Sequence, residues 1–178
     1  MPTQLDYGDQ AGLQESNGFN ARTTLPWKGD LLFRIYPADG KLYFIKVGAS
    51  KHHNAAIHFG LIGALYAHFA NKRAARRTEE LIYNIDAAAP EQLLTMEKVN
   101  FAIEVDRITE PTIHPRSFWA SKKFGSWTFR GPKGKKRTFT FDDAAGFQGA
   151  VARLSEAFGD RLTLKAQWDA AAGKVVRL

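Results

Sequence analysis

The side chains able to do chemistry are few, and their spacing works against it. Histidines stand at His52, His53, His58, His68 and His114, and there is no cysteine. Two imidazoles share a helix face when they lie three or four residues apart. His53 to His58 is a step of five and His58 to His68 a step of ten, so these read as core or interface histidines and no metal site is expected. Without cysteine, disulfides, thiolate metal sites and cysteine nucleophiles are excluded, which suits a reducing compartment. Gly131-Pro132-Lys133-Gly134-Lys135-Lys136 looks superficially like a phosphate loop. Such a loop needs four residues between its glycines, a Ser or Thr after the lysine, and a helix next. Here two residues separate the glycines and a strand pattern follows, which makes the stretch a basic hairpin turn. Among carboxylates, Glu104 and Asp106 share one strand face and Asp142 adjoins Asp143. A charged outer face and a helix N-cap account for them. No GxSxG, HExxH or GxGxxG occurs, so the expectation is no enzyme, no catalytic residue and no cofactor.

What remains is charge. The chain carries a net charge of +7, and its sequence pI is about 9.7. Residues 51–77 hold Lys51, Lys72, Arg73, Arg76 and Arg77 with no acid. Residues 111–141 hold Arg116, Lys122, Lys123, Arg130, Lys133, Lys135, Lys136 and Arg137, again with no acid. Between them, residues 78–110 set eight acids against two bases. Folding can gather the two basic blocks into a field for an anionic partner, or pair them with the acidic segment and cancel it.

The elements that would position these groups can be read from periodicity. Residues 1–24 show no sustained period and are expected to form a loose arm. They contain neither a basic n-region nor an apolar h-region, so no secretory signal is expected and the reading is cytoplasmic. Leu31, Phe33 and Ile35 alternate with Leu32, Arg34 and Tyr36, Pro37-Ala38-Asp39-Gly40 supplies a turn, and Lys41 to Val47 resumes as a strand. Ala55 to Ala70 is apolar all round except for His58 and His68. Ile57, Leu61 and Leu65 occupy one side of a helix, and Phe59, Ile62, Tyr66 and Phe69 another. Two readings of it stand: a buried or self-association helix, or an element lying on a membrane surface. A short helix after Pro90 and a strand at Phe101 to Val105 follow. Arg116 to Ser121, Gly125 to Arg130 and Lys136 to Phe141 form an expected three-stranded meander. Asp142 to Gly159 closes the fold as a helix: Phe147, Val151, Leu154 and Phe158 recur at steps of four, three and four, an aspartate caps its start, and Gly159 ends it. Residues 167–178 are expected to trail as a loose tail.

The hairpin LLFRIYPADGKLYFIKVG, the strand running into VDRI, the meander GSWTFRGPKGKKRTFTF and the helix DDAAGFQGAVARLSEAFG together resemble the pleckstrin-homology-like superfold, in particular its small bacterial members. The resemblance implies an α+β, mostly antiparallel fold: a bent barrel capped by a C-terminal amphipathic helix, over residues 25–166, with a helical insertion at 51–97. It also implies a binding scaffold rather than an enzyme.

The functional expectation is a non-enzymatic binding or assembly module, peripheral to a membrane in one version. Its helix (Ile57, Phe59, Leu61, Ile62, Leu65, Tyr66, Phe69) would meet a protein partner, a second copy or lipid, and its basic residues (Arg116, Lys122, Lys123, Lys133, Lys135, Lys136, Arg137) an anionic surface. The alternative is nucleic-acid binding through the two basic blocks. No small-molecule substrate is indicated.

Overall fold

The computed structural model describes residues 18–25, 29–50, 82, 88, 90–115 and 124–178. The strands are β1 (Phe19–Leu25), β2 (Gly29–Ala38), β3 (Lys41–Ser50), β4 (Phe101–Glu104), β5 (Thr109–His114), β6 (Ser126–Arg130), β7 (Lys136–Thr140), β8 (Thr163–Leu164), β9 (Ala166–Asp169) and β10 (Lys174–Arg177). Among the described residues, the helices with defined bounds are α1 (Pro90–Leu93) and α2 (Ala144–Phe158). Eight strands form one sheet in the order β4-β3-β2-β1-β7-β6-β5-β8, and β9 pairs with β10 in a separate hairpin.

The β2–β3 hairpin forms where its turn residues demand it. Ala38 pairs with Lys41, leaving Asp39 and Gly40 as the turn, at φ values of 48° and 70°. A two-residue turn matched to strand twist needs positive φ at both positions, which aspartate tolerates and glycine adopts freely. Alternation then divides the hairpin's side chains between two apolar clusters. Leu31, Phe33, Ile35, Leu42 and Phe44 join the main core, whereas Tyr36, Tyr43, Ile45 and Val47 point the other way and pack with Leu93. Both faces of this part of the sheet are therefore covered, the second by α1 together with Ile82, Ala88 and Leu94.

The main core joins the two halves of the sheet face to face. Trp127, Phe129, Phe139 and Phe141 are buried, as their alternation with polar residues implies. Phe44 of β3 reaches the Trp127 ring at 6.3 Å and the Phe139 ring at 5.3 Å, although three strands separate β3 from β6 in the hydrogen-bonded order. Helix α2 lies against β1, burying Phe147, Ala150, Leu154 and Phe158. Its start is capped by Asp143, whose Oδ1 accepts the Gly146 N–H at 2.6 Å.

Four expectations change. The closed, bent barrel implied by the PH-like resemblance does not form: the sheet is open, with β4 and β8 as edges, and mixes antiparallel with parallel pairing. After α2 the chain returns as β8 and pairs in parallel with β5, Thr112 with Thr163 and Ile113 with Leu164, so β8 rather than β4 lies beside β5. The expected loose arm contains β1, which runs antiparallel to β2 over its whole length and meets β7 at Arg22 and Thr140, so it joins the two halves. The expected loose tail is the β9–β10 hairpin, with Ala166 and Val175 buried in the main core. The first strand paired to β6 is β5, upstream of the expected Arg116–Ser121, which lies outside the described residues together with most of the 51–97 insertion. Pro111 fits within β5 because the ladder shifts register between Thr109 and Thr112, where Glu110 sits at φ 54°.

Candidate functional site

Of the expected basic contact residues, the structure describes Lys133, Lys135, Lys136 and Arg137. Lys133, Lys135 and Lys136 sit exposed in and beside the β6–β7 turn. Arg137, next in line, turns inward: its guanidinium lies 4.4 Å over the Phe101 ring, and burial pushes its pKa below the usual arginine value. Arg116, Lys122 and Lys123 lie outside the described residues, as do Ile57, Phe59, Leu61, Ile62, Leu65, Tyr66 and Phe69.

The acidic middle segment is used within the fold. Arg130 of the basic meander meets Glu110 at 3.0 Å, Lys46 meets Glu97 at 2.7 Å, and Arg161 meets Asp106 at 3.5 Å. Arg107 meets Glu104 at 3.4 Å. Of the second basic block, Arg130 is thus paired with the acidic segment, while the first block, residues 51–77, lies outside the described residues. No helix among the described residues is long and apolar enough to cross a membrane. The expected module, contacting a partner or an anionic surface through an apolar helix and basic loops, is corrected: the described residues show a small α+β domain with surface bases in ion pairs, Arg22 with Asp142, Lys46 with Glu97 and Arg130 with Glu110.

Histidine and carboxylate groups are likewise used locally. His114 Nε2 lies 2.8 Å from Thr128 Oγ1 on the neighbouring strand. Asp142 accepts from Arg22 at 2.7 Å, and Asp143 caps α2. No group of three or more metal-ligating side chains occurs among the described residues.

Among the described residues, a groove of about 500 Å³ lies between α2 and the start of β1. Beside it, glycines let the helix come close to the strand. A methyl group at Gly146 would stand 2.9 Å from the Asn20 carbonyl oxygen, and one at Gly149 would stand 3.2 Å from Phe19 Cβ. Ala145, Gly149 and Ala152 form the small-residue side, and Gln148, Arg153 and Glu156 rise beside them on the same helix. From the strands come Gly18, Phe19, Asn20 and Arg34. Arg34 is only 7% exposed, and its Nη1 donates to Asn20 Oδ1 at 3.2 Å. Arg153 Nη1 donates to both oxygens of Glu156 at 3.2 Å.

None of these groove residues is among the expected contact residues. A signal for them is nonetheless present: Ala145, Gly149, Ala152 and Glu156 recur at steps of four, three and four, a second stripe beside the apolar one. The chain matches no family model, no curated protein and no solved structure.

Proposed function

We propose that this chain is a non-catalytic protein-interaction domain that takes a short segment of a partner protein into the groove between α2 and the start of β1. The observation carrying this reading is the groove's construction. Its floor is made of small side chains on a capped helix that is packed onto a central strand, so the walls are held by the core. Preformed walls reduce the ordering cost of binding. The side chains around the groove are amides, arginines and a carboxylate, which orient a chain by hydrogen bonds and charge. Groups with displaced acidity stand elsewhere: Tyr43 and Glu91 hold α1 to β3, and Arg137 covers Phe101.

The test is panning of a random-peptide phage library on the full chain, followed by solution binding of the recovered peptides. Ala152 is exposed and lines the groove, so Ala152→Trp fills the space without entering the core. Peptides should bind the parent chain and lose at least about tenfold in affinity to Ala152→Trp, with the variant's melting transition retained. Recovery of no peptide, or of peptides indifferent to Ala152→Trp, overturns the reading.

A further inference from the structure

We infer that Asp39 is a modification site: its side chain condenses with the backbone nitrogen of Gly40 and reopens as isoaspartate, which releases the β2–β3 turn from Val105. The site stands apart from the groove and does not depend on it.

The residue types meet the demands of the reaction. Asp39–Gly40 is the one Asp-Gly pair in the chain. The step is an attack of the Gly40 nitrogen on Asp39 Cγ, and glycine offers that attack no side-chain hindrance. The new C–N bond closes a five-membered succinimide, and the carboxyl hydroxyl leaves with the amide proton as water. Water then adds to one of the two ring carbonyls. Cleavage at Cγ restores aspartate, whereas cleavage at the Asp39 carbonyl carbon leaves the main chain running through Cβ. Composition is unchanged overall, and water is the sole co-reactant.

The surroundings leave the pair free to react. Both residues are exposed, and a methyl group on Gly40 would meet nothing within 4 Å. Among the described residues, the Asp39 carboxylate has no hydrogen bond or ion pair and the Gly40 N–H has no acceptor. At φ 48° Asp39 already holds the positive φ that both two-residue hairpin turns require at their first central position. Ring closure needs the Asp39–Gly40 peptide to swing until the Gly40 nitrogen lies beside Asp39 Cβ. That motion turns a type I′ turn toward type II′ and leaves the Ala38–Lys41 pair in place. A residue with a side chain seldom takes the first type II′ position, so the fold slows the reaction without blocking it.

The product has a structural consequence. Isoaspartate adds a backbone atom to a turn of two residues, which displaces the Gly40 carbonyl that accepts the Val105 N–H at 2.8 Å. Val105 opens the turn Val105–Arg107 that follows β4, so this tie joins the hairpin tip to the sheet edge.

The test ages the full chain for weeks in warm buffer near neutral pH. The Ile35–Lys41 tryptic peptide is then read by electron-transfer fragmentation, which separates isoaspartate from aspartate at equal mass. Isoaspartate should build up at Asp39 several-fold above the other described aspartates, and an isoaspartyl methyltransferase should methylate it there. Asp39→Asn keeps the turn, because Asn-Gly is strongly favoured in it, and should convert faster with loss of ammonia. Amide exchange at Val105 should rise in the isoaspartyl fraction. An Asp39 that ages no faster than the other described aspartates, or an Asp39→Asn variant that keeps its amide, overturns the site. Isoaspartate at Asp39 with Val105 exchange unchanged overturns the release of the turn.

Discussion

The Tyr43 hydroxyl donates a 2.6 Å hydrogen bond to Glu91 Oε1, tying the outer face of β3 to α1. Two further ties flank it: Lys46 Nζ to Glu97 at 2.7 Å, and Asn100, which accepts the Lys46 N–H and donates to the Leu93 carbonyl. Together they hold the second apolar cluster under a helix only four residues long, too short to be stable alone.

Removing that hydroxyl should weaken the fold and change its response to pH. The Tyr43 pKa is pushed up to about 12, first by the bond to Glu91 and then by burial. The same bond holds the Glu91 carboxyl below its usual range. The tyrosine's contribution is present below its unfolded value of about 10 and is lost as pH rises through about 12. The carboxylate's contribution is present above its unfolded value and is lost as pH falls through the lower folded one. Tyr43→Phe should cost about 1 kcal/mol near neutrality. Urea midpoints across pH should show the parent's advantage shrinking on both flanks. An advantage that stays constant from acid to alkali would show that the bond does not govern it.

Deleting residues 1–25 should abolish the cooperative melt. Phe19 and Ala21 are each 1% exposed, and loss of β1 leaves one edge of β2 and one edge of β7 without a neighbour and α2 without its seat. The milder Phe19→Ala should cost about 3 to 5 kcal/mol by denaturant titration. A truncated chain that still melts cooperatively would mean that β1 is dispensable.

Alanine should have different effects at two glycines of the same helix. Both replacements gain about 1 kcal/mol in helix propensity. At Gly146 the new methyl meets backbone, the Asn20 carbonyl oxygen at 2.9 Å, and the strain of about 1 to 3 kcal/mol should win. At Gly149 it meets the Phe19 side chain at 3.2 Å, which can yield by a few tenths of an ångström, leaving stability near or above the parent's. Thermal melts of the two variants check the order; Gly146→Ala as the more stable of the pair would contradict the close approach of α2 to β1.

Trp127 is fully buried, and its indole N–H has no acceptor among the described residues. Trp127→Phe loses ring volume but also removes an unpaired donor, so its cost should be only about 1 kcal/mol, against about 3 to 5 for Trp127→Ala. A Phe variant as unstable as the Ala variant would show that the donor is satisfied.

Much of the local structure is legible in the residues themselves. The β2–β3 turn follows from Asp39-Gly40, the burial of Trp127, Phe129, Phe139 and Phe141 from alternation, and α2 from Asp143, its apolar stripe and Gly159. Each rests on neighbours within a few positions, where backbone geometry alone sets which side chains share a face. The groove was legible only in part: the Ala145-Gly149-Ala152 stripe is visible in the chain, but its opposite wall comes from Asn20 and Arg34, more than a hundred residues away.

Pairing between distant segments was decided by the tertiary structure. A period of two says that a strand buries one face and not which strand lies beside it. So FNARTTL reads as an arm until β2 and β7 bracket it, and an extended Arg161 to Gln167 has no stated neighbour until Thr163–Leu164 pairs with β5. Charge behaves in the same way. The sequence shows that acids and bases are segregated, but whether they cancel depends on through-space distance, and folding brought Glu110 to Arg130 and Glu97 to Lys46.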